Sequence, residues 1–105
     1  MENKKDNFEE ELNNLKSIEP EKRRSEFLSY CQRKIELEKE GILSLEETSN
    51  HICGVCSLFF QEIMPEFEEV MEIACDLEIP KDLRDRSAGD WERLKQIIEE
   101  KCNKE

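Results

Sequence analysis

The chain has 105 residues, of which 41% are charged and 36% hydrophobic, with three glycines and three prolines; this is enough for one domain with one core, and a second is not expected. Alternating β-branched runs are missing and Glu, Lys, Leu and Ile favour the helix in nearly every window, so the expected fold is all-α. Sixteen basic residues against 27 acidic ones leave a net charge of −11, which argues against direct binding to nucleic acid or to an anionic membrane and for a basic protein partner.

The opening Met-Glu-Asn-Lys-Lys-Asp-Asn-Phe-Glu-Glu-Glu has no apolar core of the signal-peptide kind, and no later run nears membrane-spanning length. The expected compartment is therefore the cytoplasm, with all five cysteines as reduced thiols. Asp6 or Asn7 can cap a short first helix carrying Phe8, Leu12 and Leu15 at helical spacing, before Ser17-Ile18-Glu19-Pro20 breaks it. Three apolar residues would anchor this N-terminal part, residues 1–20, only loosely to the single domain expected for 1–105. Pro20 suits the first turn of a second helix that runs to Glu40, with Gly41 as its C-terminal cap and Phe27, Leu28, Cys31 and Ile35 on its inner face.

Ser44-Leu45-Glu46-Glu47 is a capping box, in which the serine oxygen accepts the Glu47 amide and the glutamate reaches back. Turning about 100° per residue from Leu45 brings Ile52, Cys56, Phe59, Phe60 and Ile63 within roughly 60° of it. That stripe makes the third helix the expected centre of the core. Pro65 ends or bends it and opens a fourth helix to Leu77, which Pro80 stops; residues 78–89 read as a loop pinned by Leu83. Ser87 or Asp90 would cap the last helix, with Trp91, Leu94, Ile97, Ile98 and Cys102 along one side. Short links imply antiparallel neighbours, so the expected architecture is an antiparallel bundle of four main helices plus the short N-terminal one. Its core should include Phe27, Ile35, Ile52, Cys56, Phe59, Ile63, Phe67, Val70, Leu77, Trp91, Leu94 and Ile98.

His51-Ile52-Cys53-Gly54-Val55-Cys56 contains the spacing used for thiol redox and for zinc. A redox motif belongs at a helix start that follows a strand, whereas this one falls about two turns after the cap. A structural zinc site needs four ligands, and His51 points about 140° to 160° away from both cysteines on a helix. Cys53 and Cys56 therefore read as packed thiols, with redox and metal roles as the competing readings. His51, the only histidine, reads as a surface residue near a helix start; Ser49 and Ser57 form no nucleophile–base arrangement with it, and no Gly-rich phosphate loop exists.

Between Lys39 and Lys81 there is no Lys or Arg, and ten acids there carry ten of the eleven net charges. Glu66, Glu69, Glu72 and Asp76 share one side of the expected fourth helix with Glu68 beside them, opposite Phe67, Val70, Met71, Ala74 and Leu77; only Ile73 breaks the division. A di-metal cage would also need Glu-x-x-His motifs that the chain lacks. Outward acids serve either solubility or a basic partner. The outer side of the third helix adds His51, Val55 and Leu58, leading to Glu62, as an apolar strip that either meets a partner or touches the first helix.

Taken in order, Gly41-Ile42-Leu43-Ser44-Leu45-Glu46-Glu47, Glu68-Glu69-Val70-Met71 and Trp91-Glu92-Arg93-Leu94 resemble the colicin D-type immunity family of small bacterial helical proteins, over roughly residues 25–100. The resemblance lies in helix order, a turn of Ile-x-Ser-x-Glu-Glu type and acidic bias. It implies a protein that blocks the basic active site of a tRNA-cleaving toxin nuclease, its acids standing in for the phosphate backbone; no binding motif of the family maps residue by residue. The expected function is thus a non-enzymatic inhibitor of a basic partner, acting through Val55, Leu58, Glu62, Glu66, Glu68, Glu69, Glu72 and Asp76 as a monomer or weak homodimer. No catalytic residue, metal or cofactor is expected. The alternatives are a regulatory or adaptor protein that self-associates through the Val55–Leu58 side, and a thiol or metal sensor built on Cys53 and Cys56.

Overall fold

A computed structural model describes residues 8–77 and 88–103, and every element among them is a helix. In chain order these are α1 (Phe8–Lys16), α2 (Pro20–Lys39), α3 (Leu45–Leu58), α4 (Phe60–Ile63), α5 (Glu68–Leu77) and α6 (Ala88–Asn103). Their ends follow local chemistry. Pro20 sits in the first turn of α2, where its missing N–H removes a donor that has no helical acceptor. At the other end Gly41 takes φ +79°, a left-handed conformation that strains any residue with a Cβ. Its N–H donates to the Glu38 carbonyl at 3.1 Å and the Ile42 N–H to that of Leu37 at 3.0 Å, the two bonds of a Schellman motif. The capping box then opens α3: Ser44 Oγ accepts the Glu47 N–H at 3.0 Å and Glu47 Oε1 accepts the Ser44 N–H at 2.9 Å.

The third helix ends earlier than its apolar stripe suggests. Phe59 leaves helical geometry at φ −101° and ψ 20°, the single turn α4 follows, and the Met64–Pro65 peptide is cis. The break changes the phase of the stripe. Phe59 and Ile63 stay buried, but Phe60, expected inside, is 48% exposed. Residues 64–67 form a turn, so α5 starts at Glu68 instead of Pro65. Asp90 lies in the first turn of α6 and not at its cap, a place where a carboxylate favours the helix dipole. The expected caps Asp6, Asn7 and Ser87, the stop at Pro80 and the pin at Leu83 lie outside the described residues.

All twelve expected core residues are buried, and Leu15, Tyr30, Val55, Ile73 and Ala74 join them. Helix α3 touches α1, α2, α4 and α5, while α6 closes against α2 and α5, so α3 holds the central place its stripe implied. Ile73, which seemed to break the inner face of α5, is 1% exposed and points into the core. The Trp91 indole buries its ring and donates from Nε1 to Glu38 Oε1 at 3.2 Å, which satisfies the one polar atom it carries inward. No described helix is long and apolar enough to cross a membrane.

Helix α1 is held by polar and aromatic contacts as well as by its apolar residues. Its Phe8 ring stacks on His51 with centroids 4.2 Å apart and planes 7° from parallel. Gly54 makes room for it, since a Cβ at that position would lie 2.8 Å from Phe8 Cζ. Leu15 is buried, and Glu11 Oε1 accepts a hydrogen bond from Lys34 Nζ at 2.8 Å. Lys34 occupies an inner position of α2 with its side chain 5% exposed, so this pair supplies the counter-charge that a buried ammonium requires.

Candidate functional site

The acids between Glu62 and Asp76 do not form one free face. Arg23, on the first turns of α2, has its guanidinium 5.7 Å above the Phe59 ring, donates from Nε to the Ile18 carbonyl at 2.9 Å and pairs through Nη1 with Glu62 at 3.3 Å. Its neighbour Arg24 lies 5.7 Å from the Phe67 ring centre and grips Glu66 with two bonds, Nε to Oε1 at 2.7 Å and Nη2 to Oε2 at 2.8 Å. From α6, Lys101 Nζ reaches Glu66 Oε2 at 3.1 Å, and Arg93 donates to both oxygens of Glu69 at 3.1 and 3.3 Å. Three of the expected partner-binding acids, Glu62, Glu66 and Glu69, are therefore engaged by basic residues of α2 and α6. Glu66 also stands in the turn before α5 and not on its face. A helical wheel of one segment cannot show cations that arrive from 24 to 42 residues away.

Glu68 and Glu72 are different. Both are exposed on α5, one turn apart, and neither meets a cation among the described residues. Asp76 is half-buried. The apolar part of the expected site is corrected as well: Val55 is fully buried, Leu58 is half-buried, and α1 covers this side of α3. On this helix Phe8 of α1 meets His51 and Gly54. Phe60, which the stripe had assigned to the core, is exposed on α4, two residues before Glu62.

The Glu66 carboxyl is held down at about 2, first by the hydrogen bonds from Arg24 and then by Lys101, against the opposing pull of burial. A depressed folded pKa gives stability that is present above the ordinary carboxyl value of 4.5 and is lost as pH falls through about 2. Glu66→Gln should accordingly destabilise the protein at neutral pH. With the side chain a third exposed and open to screening, the expected loss is about 1 kcal/mol. Urea midpoints of the two proteins should converge as pH drops from 4.5 toward 2, and a constant gap across that window would show that the ion pairs contribute nothing there.

The cysteine pair is split. Cys53 forms a disulfide with Cys75 of α5, with Cα atoms 5.2 Å apart, so the expectation of five reduced thiols fails for these two. Cys56 remains a buried thiol, pushed up to about 12 by burial. Cys31 is raised by burial too, and further by the Cys56 and Cys102 thiols. One position of the motif thus faces α5 and the other the core. Their separation of about 60° on the wheel allows this, but only the packing of α5 supplies the partner. No group of three or more metal-ligating side chains gathers among the described residues.

His51, expected at the surface, is 7% exposed, and its Nδ1 has no hydrogen-bond partner among the described residues. Burial lowers its pKa and the Lys34 ammonium lowers it further, while Glu11 and Glu47 oppose them. The Ser49 hydroxyl is also buried without a partner, and it leaves α3 about 200° from His51. Lys34 and Tyr30 were missed as inner residues of α2. Their signal was present in the spacing, since Phe27, Tyr30, Cys31, Lys34 and Ile35 form a continuous helical stripe once an amphipathic lysine is allowed in it. No protein-family model matches the chain, and no curated protein or solved structure matches it either.

Proposed function

We propose that this chain is a non-enzymatic binding protein of the inhibitor or immunity type, which docks a basic protein partner on the outward row of α5. The observation that carries this reading is the contrast among its acids. Glu62, Glu66 and Glu69 are neutralised within the fold, whereas Glu68 and Glu72 face outward with no cation among the described residues, in a stretch that contains no Lys or Arg. Phe60 is an exposed apolar ring on the preceding turn α4, and interfaces combine such anchors with a charged rim. A toxin nuclease with a basic active site is a partner of the required chemistry. With this reading go an antiparallel four-helix arrangement of α2, α3, α5 and α6 and a cytoplasmic location.

The test uses a partner captured from the native host at low salt and released at high salt. Glu68→Lys with Glu72→Lys should slow association about tenfold at low ionic strength while leaving the fold intact, because both side chains are exposed. The effect should shrink above about 0.1 M salt, where exposed charges are screened over roughly 10 Å. Unchanged rates at both salts would reduce the row to a solubility feature. The exposure of Phe60 favours a second reading, a self-associating adaptor, in which Phe60→Ser abolishes a dimer seen by sedimentation.

A further inference from the structure

We infer that α1 is a proton-sensitive cover, seated on α3 at neutral pH by the uncharged His51 ring stacked against Phe8 and lifted from the domain when that ring takes up a proton. The seat is built from few parts. Phe8 lies over Gly54 and on the His51 ring, Leu15 is the one fully buried residue of α1, and Glu11 holds Lys34 at 2.8 Å. Beneath this helix lies the side of α3 that carries His51 and Gly54, on which Phe8 rests. Lifting α1 therefore uncovers the buried His51 ring and the surface around Gly54.

The charged groups facing His51 come from each element around it: Glu11 from α1, Lys34 from α2 and Glu47 from α3 itself. Glu11 Oε1 already accepts from Lys34 Nζ, so its negative charge would be shared between two cations. A proton added to the ring would place a second buried cation near Lys34 and create an Nδ1–H with no acceptor among the described residues. Release of α1 relieves both penalties by returning the ring to water. The sign follows from the direction of the shift: the folded pKa lies below the ordinary 6.5, so the seat is complete above that value and weakens as pH falls below it. Local release is favoured over global unfolding because α1 buries little, whereas α3 is held from several sides.

Hydrogen exchange of the intact chain, read by mass spectrometry on the 8–16 segment and corrected for intrinsic rates, tests this directly. Between about pH 7.5 and about pH 5.5, opening of α1 should rise toward tenfold per pH unit below roughly 6.5, the limit for uptake of one proton, while α3 and α6 keep their protection. His51→Phe, which keeps a stacking ring but cannot titrate, should make α1 protection independent of pH. As the only histidine, His51 also gives a single imidazole resonance, whose midpoint in the wild type should lie below 6.5. Equal α1 protection at both pH values, the same loss in His51→Phe, loosening of all helices together, or a midpoint at or above 6.5 overturns the inference. Should His51→Phe not fold, the wild-type exchange and titration decide between these outcomes.

Discussion

Replacing Phe67 with alanine is expected to destabilise the protein by about 3 to 5 kcal/mol, the range for emptying a buried phenylalanine site. Phe67 is 0% exposed in the turn that leads into α5, and its ring sits 5.0 Å from that of Phe27, tilted by 59°. The same ring supports the Arg24 guanidinium at 5.7 Å and the Lys101 ammonium at 5.9 Å, the two cations that hold Glu66. Truncation therefore leaves a cavity between α2 and the α4–α5 turn and removes the platform on which an ion cluster is ordered. A domain with a total stability of about 5 to 15 kcal/mol would be left marginal. Urea denaturation followed by circular dichroism measures the loss, and Phe60→Ala serves as the control. Phe60 is 48% exposed, so its truncation should stay within about 0.5 kcal/mol of wild type. Equal losses for the two rings would mean that the break after Leu58 does not set their burial as described.

Opening the Cys53–Cys75 bond should have an effect of similar size. The bond closes a loop with a sequence separation of 22 residues, for which chain entropy lost from the unfolded state gives about 3 kcal/mol. Reductant should lower the urea midpoint of the wild type by that amount. Cys53→Ala combined with Cys75→Ala should lower it similarly and no longer respond to reductant, since Cys31 and Cys56 are buried free thiols and Cys102 has no disulfide. Helix α5 should keep its place in the reduced protein, because Val70, Ile73, Ala74 and Leu77 remain packed in the core. A wild-type midpoint that reductant does not move would show that the cross-link contributes nothing to stability.

Much of the fold was legible along the chain. The capping box at Ser44 and the glycine at Gly41 each act over a few residues, so their structural outcome does not depend on what packs against them. The inner faces of α2, α3, α5 and α6 were legible for the same reason: an apolar stripe at helical spacing has one place to go when a chain of this size must bury a core. Phe60 was misplaced because the wheel assumes an unbroken helix, and the break at Phe59 comes with a turn and a cis proline that periodicity does not report.

The candidate site was legible only in outline. An excess of acid between Lys39 and Lys81 is a property of the sequence, but whether a given carboxylate is free depends on the side chains that packing brings to it. Arg24 and Glu66 are 42 residues apart, Arg93 and Glu69 are 24 apart, and Lys34 and Glu11 are 23 apart. The same holds for Cys53 with Cys75 and for His51 with Phe8, whose partners lie on other helices. The helical class, the helix ends with local caps and the faces turned inward follow from the chain alone, because these rest on interactions within one or two turns. Which acids meet a cation, which cysteines join and the burial of the single histidine come from packing, because each depends on the distance between helices, which the residues of one helix cannot report.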